Sequence, residues 1–303
     1  MFAACSSASI KLCTLDQKGQ PVVQWQKSCE FGRGDTLDWL RNGKAFLTCH
    51  AGNVLCHVVG KQNQADEKTP TVLSLPGGPA IMRVCGEGSK QLVVAQLDVA
   101  GPIKIFDLGA LLGGTKEARP LAILQDHDRP VTALAASSAS GHVASANAAG
   151  SVYLHQVGSS SSTLGLLPGG PALVTPKRCL AFSYGSLHIR LAAGADDGQI
   201  IVWQVTQPTA GPIVLPTRLR GRVMGVGFGT YNKIPSAILL GCSESGQLFA
   251  GDMRRFPDVQ MTLRSDLAVL QHENRGLREQ VAALAQRLDD CVSFGALLGN
   301  GAM

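Results

Sequence analysis

The sequence predicts an all-β chain that folds as a β-propeller of about six blades over residues 1–254. A C-terminal α-helical coiled coil over 255–292 and a flexible tail over 293–303 are predicted to follow. Two observations support this fold class. A turn glycine followed by an alternating strand recurs at a nearly constant interval, and beyond residue 254 the apolar period changes from two residues to three and a half.

The composition is that of a globular, intracellular protein. Of 303 residues, 45% are hydrophobic and 16% charged, which is enough apolar material for a large core. The net charge of +5 is not gathered into basic runs, so we expect no nucleic-acid binding. We also expect no membrane insertion, because no apolar run approaches the roughly 18 residues that span a bilayer. The N-terminus lacks a secretory pattern and the nine cysteines lack C-x-x-C spacing, which predicts reduced thiols in the cytoplasm.

The repeat is defined by glycines that precede a strand. The copies include "AGNVLCHVV", "AGSVYLHQV" and "DGQIIVWQV". The turn glycines are Gly52, Gly101, Gly150, Gly198 and Gly246, at intervals of 49, 49, 48 and 48 residues. A weaker copy, "SASIKLCTL", comes 44 residues earlier with Ala8 in place of glycine. Each copy predicts one hairpin of a repeating unit.

Two further strands belong to each unit. Segments such as "IRLAAGADDG" lead into the turn, and segments such as "VTALAAS" come earlier still. About four short strands in a period in the mid-forties are typical of propeller blades, which bury both faces by stacking around an axis. The first unit is represented only by its outer hairpin. A ring closed by six blades and a seven-bladed ring with one blade missing both remain open.

The tail carries a heptad pattern. Its apolar seam is Leu263, Leu267, Leu270, Asn274, Leu277, Val281, Leu284 and Leu288. Leucine at every d position with one asparagine at an a position favours a parallel homodimer. Glu273 at g and Arg278 at the following e position are placed to pair between chains. The alternative is a single helix that packs its leucine stripe on the propeller wall.

Three segments superficially suggest chemistry. "GALLGGTK" (109–116) lacks the Gly-Lys-Ser/Thr order of a phosphate loop, and "GVGFG" (225–229) lacks a βαβ context. "CHAGNVLCH" pairs Cys49-His50 with Cys56-His57, but neighbours on a strand point to opposite faces, so the four side chains do not converge on a metal. We therefore expect no catalytic site, no cofactor and no metal, and interpret the chain as a non-enzyme.

The repeats resemble WD repeats. "LQDHDRPVTALAAS" begins with Asp126-His127 where that family has Gly-His. Phe106-Asp107, Trp203-Gln204 and Gly251-Asp252 are similar to its Trp-Asp ending. The blade-turn aspartate is missing from "SSASGHVAS", so we expect the family's His–Asp–Ser/Thr–Trp bonding network to be incomplete.

A narrower resemblance is to the WD-repeat proteins that target γ-tubulin ring complexes to centrosomes and spindles. It depends on "GSVYLHQVGSSSST" (150–163), "SGQLFAGDMRRF" (245–256) and the tail "LAVLQHENRGLREQ". The resemblance implies that the propeller directs localisation and that residues 258–290 bind γ-tubulin complexes. The chain lacks one of that family's seven blades and its long regulatory segment. The alternatives are a generic WD adaptor in ubiquitin ligation, trafficking or ciliary assembly, and an enzymatic or ligand-binding propeller.

Overall fold

The structure is a computed structural model that divides the chain into two compact units, residues 1–254 and 255–303. Within the first unit it describes residues 2–5, 9–16, 21–28, 36–40, 45–50, 52–59, 71–75, 78–86, 90–97, 99–114, 118–137, 140–158, 160–169, 174–184, 189–206, 211–217 and 219–254. The second unit, with the predicted coiled coil and tail, lies outside the described residues.

Six antiparallel sheets follow one another along the first unit. Sheet 1 contains β1 (Phe2–Cys5), β2 (Ser9–Leu15) and β3 (Pro21–Ser28). Sheet 2 contains β4 (Thr36–Trp39), β5 (Ala45–His50), β6 (Asn53–Val58) and β7 (Thr71–Ser74). Sheet 3 contains β8 (Ala80–Cys85), β9 (Gln91–Gln96), β10 (Ile103–Asp107) and β11 (Ala122–Leu124).

The remaining three sheets repeat this order. Sheet 4 contains β12 (Val131–Ala136), β13 (His142–Asn147), β14 (Val152–Gln156) and β15 (Ser162–Leu166). Sheet 5 contains β16 (Lys177–Phe182), β17 (Arg190–Ala195), β18 (Ile200–Gln204) and β19 (Ile213–Leu215). Sheet 6 contains β20 (Val223–Tyr231), β21 (Ile234–Ser243) and β22 (Leu248–Asp252). The prediction of an all-β region built from units of about four strands is confirmed.

Two details differ from the sequence-based expectation. Sheet 1 has a third strand, β1, beside its predicted outer hairpin. A short helix, α1 (Leu108–Leu112), follows β10 directly. The carboxylate of Asp107 accepts a hydrogen bond from the Ala110 N–H at 3.0 Å, so this residue caps the helix in addition to ending the strand.

The sheets pack in sequence order through their first strands. β4 packs against β8, β8 against β12, β12 against β16 and β16 against β20, while β1 contacts β4. Three apolar clusters fill the interfaces between sheets 2 and 3, 3 and 4, and 4 and 5. Trp203 lies in the last of these clusters, where its indole N–H donates to the Pro168 carbonyl at 2.9 Å. Stacking thus buries both faces of each central sheet, as a propeller requires.

The interface between sheets 5 and 6 is built from glycines that receive larger side chains. A Cβ added at Gly194 in β17 would lie 2.5 Å from a methyl carbon of Val223 in β20. A Cβ added at Gly241 in β21 would lie 2.4 Å from Cδ1 of Ile200 in β18. Gly241 therefore marks the face of sheet 6 that packs on sheet 5. Within the described residues, sheet 6 has no comparable packing against sheet 1.

Candidate interaction surface

A turn glycine precedes the third strand in each of sheets 2 to 6. Gly52, Gly150, Gly198 and Gly246 have φ between 78° and 88°, which side chains adopt only with strain. Gly101 lies outside that region, because its turn from β9 to β10 is longer. Two residues after each glycine stands an aliphatic side chain: Val54, Ile103, Val152, Ile200 and Leu248.

Leu248 is the exception among these five equivalent positions. The other four side chains are between 0% and 3% exposed, whereas Leu248 is 83% exposed. In sheets 2, 3 and 5 the equivalent residue pairs with a leucine of the fourth strand, namely Leu73, Leu124 and Leu215. In sheet 4, Leu167 donates its N–H to the Val152 carbonyl at 2.8 Å. Sheet 6 has three strands in the described part of the chain, of which β22 is the last.

The face of sheet 6 that is turned away from sheet 5 carries exposed aliphatic side chains. Leu248 is paired with Cys242, and Leu240 is paired with Ala250. Because side chains alternate along a strand, these residues point away from Gly241 and hence away from sheet 5. Leu240 is 50% exposed. Gly227 in β20 pairs with Leu240. A Cβ added at Gly227 would meet no atom within 4 Å, so there is free space next to Gly227 on this face.

Charged side chains flank β22. Arg220 lies beside the turn before β22, since its N–H donates to Oε1 of Gln247 at 2.7 Å and its carbonyl accepts from the Ser245 hydroxyl. Arg222 is more than half exposed, with its Nε 3.9 Å from an Asp196 carboxylate oxygen. Lys233 is exposed in the turn between β20 and β21. Glu244 lies near Arg222, and Asp252 pairs with Arg254 at 2.7 Å, so charges of both signs flank β22.

The histidine and serine side chains in and beside sheet 4 are joined by a buried chain of hydrogen bonds. Nε2 of His127 lies 2.6 Å from the Ser145 hydroxyl, which lies 2.7 Å from Nε2 of His155. Nδ1 of His155 lies 3.0 Å from the Thr163 hydroxyl, which donates to Asp126. Burial lowers the pKa of His155 to about 4, although Asp126 opposes the shift. Although the blade-turn aspartate is absent, as expected, the bonding chain continues because His155 takes the place of tryptophan.

Of the two Cys-His pairs of sheet 2, the side chains of Cys49, Cys56 and His57 are described, and the two cysteines lie apart from His57. Cys49 and Cys56 are buried in the apolar cluster between sheets 2 and 3. His57 points to the other face, where it stacks on Phe46 at 4.6 Å and its Nε2 lies 2.8 Å from the Thr48 hydroxyl. In the part of the chain that the structure describes, no group of three histidine, cysteine or acidic side chains is arranged to hold a metal ion.

A cavity of about 450 Å³ lies among the first strands of sheets 2 to 5. Its lining includes Asp38, Arg83, Ala135 and Phe182. The Asp38 carboxylate accepts from the N–H groups of Trp39 at 3.0 Å and Val84 at 2.8 Å, so it joins β4 to β8. Burial raises the pKa of Asp38 in spite of these hydrogen bonds and of the nearby Arg83. These contacts serve packing between sheets.

The remaining predicted site residues belong to the second unit. The coiled-coil seam from Leu263 to Leu288 and the Glu273–Arg278 pair lie outside the described residues. None of the helices that the structure describes has the length and apolar character to cross a membrane.

Comparison with known proteins agrees with this architecture. A family model for the WD domain, G-beta repeat, matches residues 172–204, which include β16, β17 and β18. Residues 172–204 are thus similar to a WD repeat. Trp203, whose pair with Gln204 resembles the family's Trp-Asp ending, lies within this match and is buried in the cluster between sheets 4 and 5.

The fold is widely shared. A chain in the crystal structure of the mitotic checkpoint complex aligns with a TM-score of 0.55 and 16% identity. The alignment covers 72% of this chain and 61% of that one, so this chain spans less than two thirds of its length. Since 1130 chains of solved structures match, the likeness identifies the fold alone. No curated protein sequence matches the chain.

Sequence reasoning missed the exposed apolar face of sheet 6. The "SGQLFAGDM" copy fits the repeat as well as its neighbours do, and Leu248 is as apolar as Ile200. The repeat itself carries no signal of this exposure, because the burial of the equivalent residues depends on the sheet that packs on them.

Proposed function

We propose that this chain is a non-enzymatic scaffold that recruits γ-tubulin ring complexes to centrosomal or spindle microtubule-organising sites. In this proposal the propeller directs localisation and residues 258–290 bind the complex. The chain acts in the cytoplasm as a parallel homodimer joined by the predicted coil.

The observation that carries the scaffold role is the exposed apolar face of sheet 6, with Leu248 and Leu240. An exposed aliphatic face is a site for protein association, and soluble proteins usually cover such faces. Proteins with WD repeats generally act as scaffolds and adaptors, and residues 172–204 are similar to such a repeat. The histidines and serine that superficially suggest catalysis in sheet 4 are buried and bonded to each other.

The γ-tubulin client is supported by sequence resemblance. The segments "GSVYLHQVGSSSST" and "SGQLFAGDMRRF" are similar to the WD-repeat proteins that target γ-tubulin ring complexes. The tail adds a heptad seam that supplies two copies of the docking helix, which strengthens attachment to a large assembly through multivalency.

A capture experiment tests the proposal. The tagged full chain is used to capture γ-tubulin from dividing-cell extract, beside a variant with Leu270→Asp and Leu284→Asp. Charges at these d positions disrupt the seam, and we expect the captured γ-tubulin to fall at least tenfold.

The matched control carries His272→Asp and Gln286→Asp, which add the same charges at outward f positions of the same heptads. We expect this control to capture γ-tubulin as the wild type does. Absence of γ-tubulin from the wild-type capture would remove the proposed client and leave a WD-repeat scaffold for another assembly.

A further inference from the structure

We propose that the cavity of about 450 Å³ among the first strands of sheets 2 to 5 binds a peptide carboxylate that stands next to an apolar side chain. In this proposal the Arg83 guanidinium binds the carboxylate, and the aromatic rings of the lining hold the apolar group. This inference goes beyond the scaffold role and does not depend on γ-tubulin being the client.

The cavity lies where the first strands of four sheets end. The Thr36 hydroxyl accepts from the Met82 N–H and the Asp38 carboxylate accepts from the Val84 N–H, and both bonds join residues 46 positions apart. This constant offset means that β4 and β8 run parallel. The last residues of β4, β8, β12 and β16 all line the cavity, so it opens at one end of these strands.

Arg83 is the cation of this cavity, and most of its donors are unused. Its Nη1 donates to the Met82 carbonyl at 2.8 Å. In the described part of the chain this is the only hydrogen bond of the guanidinium, and no carboxylate oxygen lies within 4.0 Å of it. Burial lowers the pKa of Arg83, but an arginine stays protonated at neutral pH. The guanidinium therefore has a charge and a fork of N–H groups for an incoming anion.

The nearby Asp38 favours a ligand with a single negative charge. Its carboxylate is held by the N–H groups of Trp39 at 3.0 Å and Val84 at 2.8 Å, which keeps it on β4 and β8. It still interacts electrostatically with Arg83, because it opposes the lowering of the pKa of that residue. The described lining has no second cation, so a doubly charged phosphate would be repelled by Asp38 without compensation. A carboxylate carries one charge and matches the guanidinium fork.

The rest of the lining favours an apolar group beside the carboxylate. It includes Trp39, Leu40, Leu180 and Phe182. The Trp39 ring lies 5.2 Å from the ring of Phe46, and Phe182 packs on the apolar cluster between sheets 4 and 5, so both rings are held in place. Ligand sites commonly combine an apolar lining with a few placed polar groups in roughly 300–1,000 Å³.

Calorimetric titration of the full chain with short peptides tests the proposal. The probe is a dipeptide of leucine and phenylalanine, acetylated at its N-terminus and with a free C-terminal carboxylate. We expect saturable binding of this probe and at least tenfold weaker binding of its neutral C-terminal amide. A second probe, the acetylated amide of glutamate and phenylalanine, carries the carboxylate on a side chain. Binding of either carboxylate supports the proposal, and the tighter probe identifies its source.

Variants of the chain locate the site. Arg83→Met removes the charge at similar length and is expected to weaken binding of the carboxylate probes at least tenfold. Arg83→Lys keeps the charge without the fork and should weaken binding less. The matched control is Arg129→Met, at an exposed arginine before the opposite end of β12, and it should bind as the wild type does.

The proposal is overturned if neither carboxylate probe binds the wild-type chain, if the neutral amide binds as tightly as the free carboxylate, or if Arg83→Met binds like the Arg129→Met control. Tighter binding of phenyl phosphate than of the carboxylate probes would also overturn it. The comparison of carboxylate and amide uses the wild-type chain, so it does not depend on the folding of a variant. These outcomes are independent of the γ-tubulin capture.

Discussion

At the residue scale, the turn glycines are not equivalent. A Cβ at Gly198 would lie 2.4 Å from the Leu219 carbonyl oxygen, and the residue has φ of 86°. Gly246 has φ of 78°, but a Cβ added there would meet no atom within 4 Å. Gly101 has neither a left-handed φ nor a neighbouring atom closer than 3.8 Å to an added Cβ.

We therefore predict a graded loss of stability in an alanine series. Gly246→Ala should cost about 1 kcal/mol from the left-handed backbone, and Gly198→Ala clearly more, because it adds a clash with main chain. Gly101→Ala is the matched control and should stay within about 0.5 kcal/mol of wild type. Urea unfolding of the full chain measures the series, and equal losses at Gly198 and Gly101 would contradict the turn geometry.

A second residue-scale prediction concerns acid. The pKa of His155 is lowered from 6.5 to about 4 by burial, so the unfolded chain binds a proton that the folded chain rejects. Stability is thus full above about pH 6.5 and falls as the pH drops towards 4. The loss from this group is about 2 kcal/mol by pH 5.

The variant His155→Gln retains hydrogen-bonding groups but does not titrate. Its melting temperature should fall less between pH 7 and pH 5 than that of the wild type, although His127, whose pKa burial also lowers, still contributes. An equal fall in both proteins would show that His155 is not the buried titrating group.

At the scale of elements, the predicted coiled coil can be tested through Asn274. Asn274→Val removes the polar pair that fixes a parallel dimer, so the full chain should move from a single dimer to a mixture of dimers and larger species. Sedimentation equilibrium reads the mass, with Ala282→Val at an outward b position as the control. An unchanged mass distribution would remove the support for the parallel-dimer assignment.

The sequence predicted the repeating sheets because the signal is local. A turn glycine and the alternating strand after it can be recognised within ten residues, and the same pattern recurs at a regular interval along the chain. It did not predict the bonding chain of sheet 4, since Ser145 and His155 meet only through strand pairing and His127 joins from a loop. It also did not predict the exposure of Leu248, because the equivalent residues Val54 and Ile103 are buried by the sheet that follows theirs and not by anything in their own repeat. The coil and its charge pair stay predictions.

At the scale of the whole molecule, five sheets of the first unit stack against a following sheet, and the sixth presents an open apolar face. A propeller with such an end is suited to taking up a partner, because the exposed surface is already shaped as an interface between blades. The proposed scaffold role depends on this exposed face.

Replacement in dividing cells tests the scaffold role most directly. The endogenous protein is exchanged for tagged wild type, for Leu270→Asp with Leu284→Asp, or for the matched His272→Asp with Gln286→Asp control, and γ-tubulin is quantified at spindle poles. We predict that wild type and control localise to the poles and sustain polar γ-tubulin, while the seam variant reduces it by more than half. Equal polar γ-tubulin in all three cell lines would contradict the account.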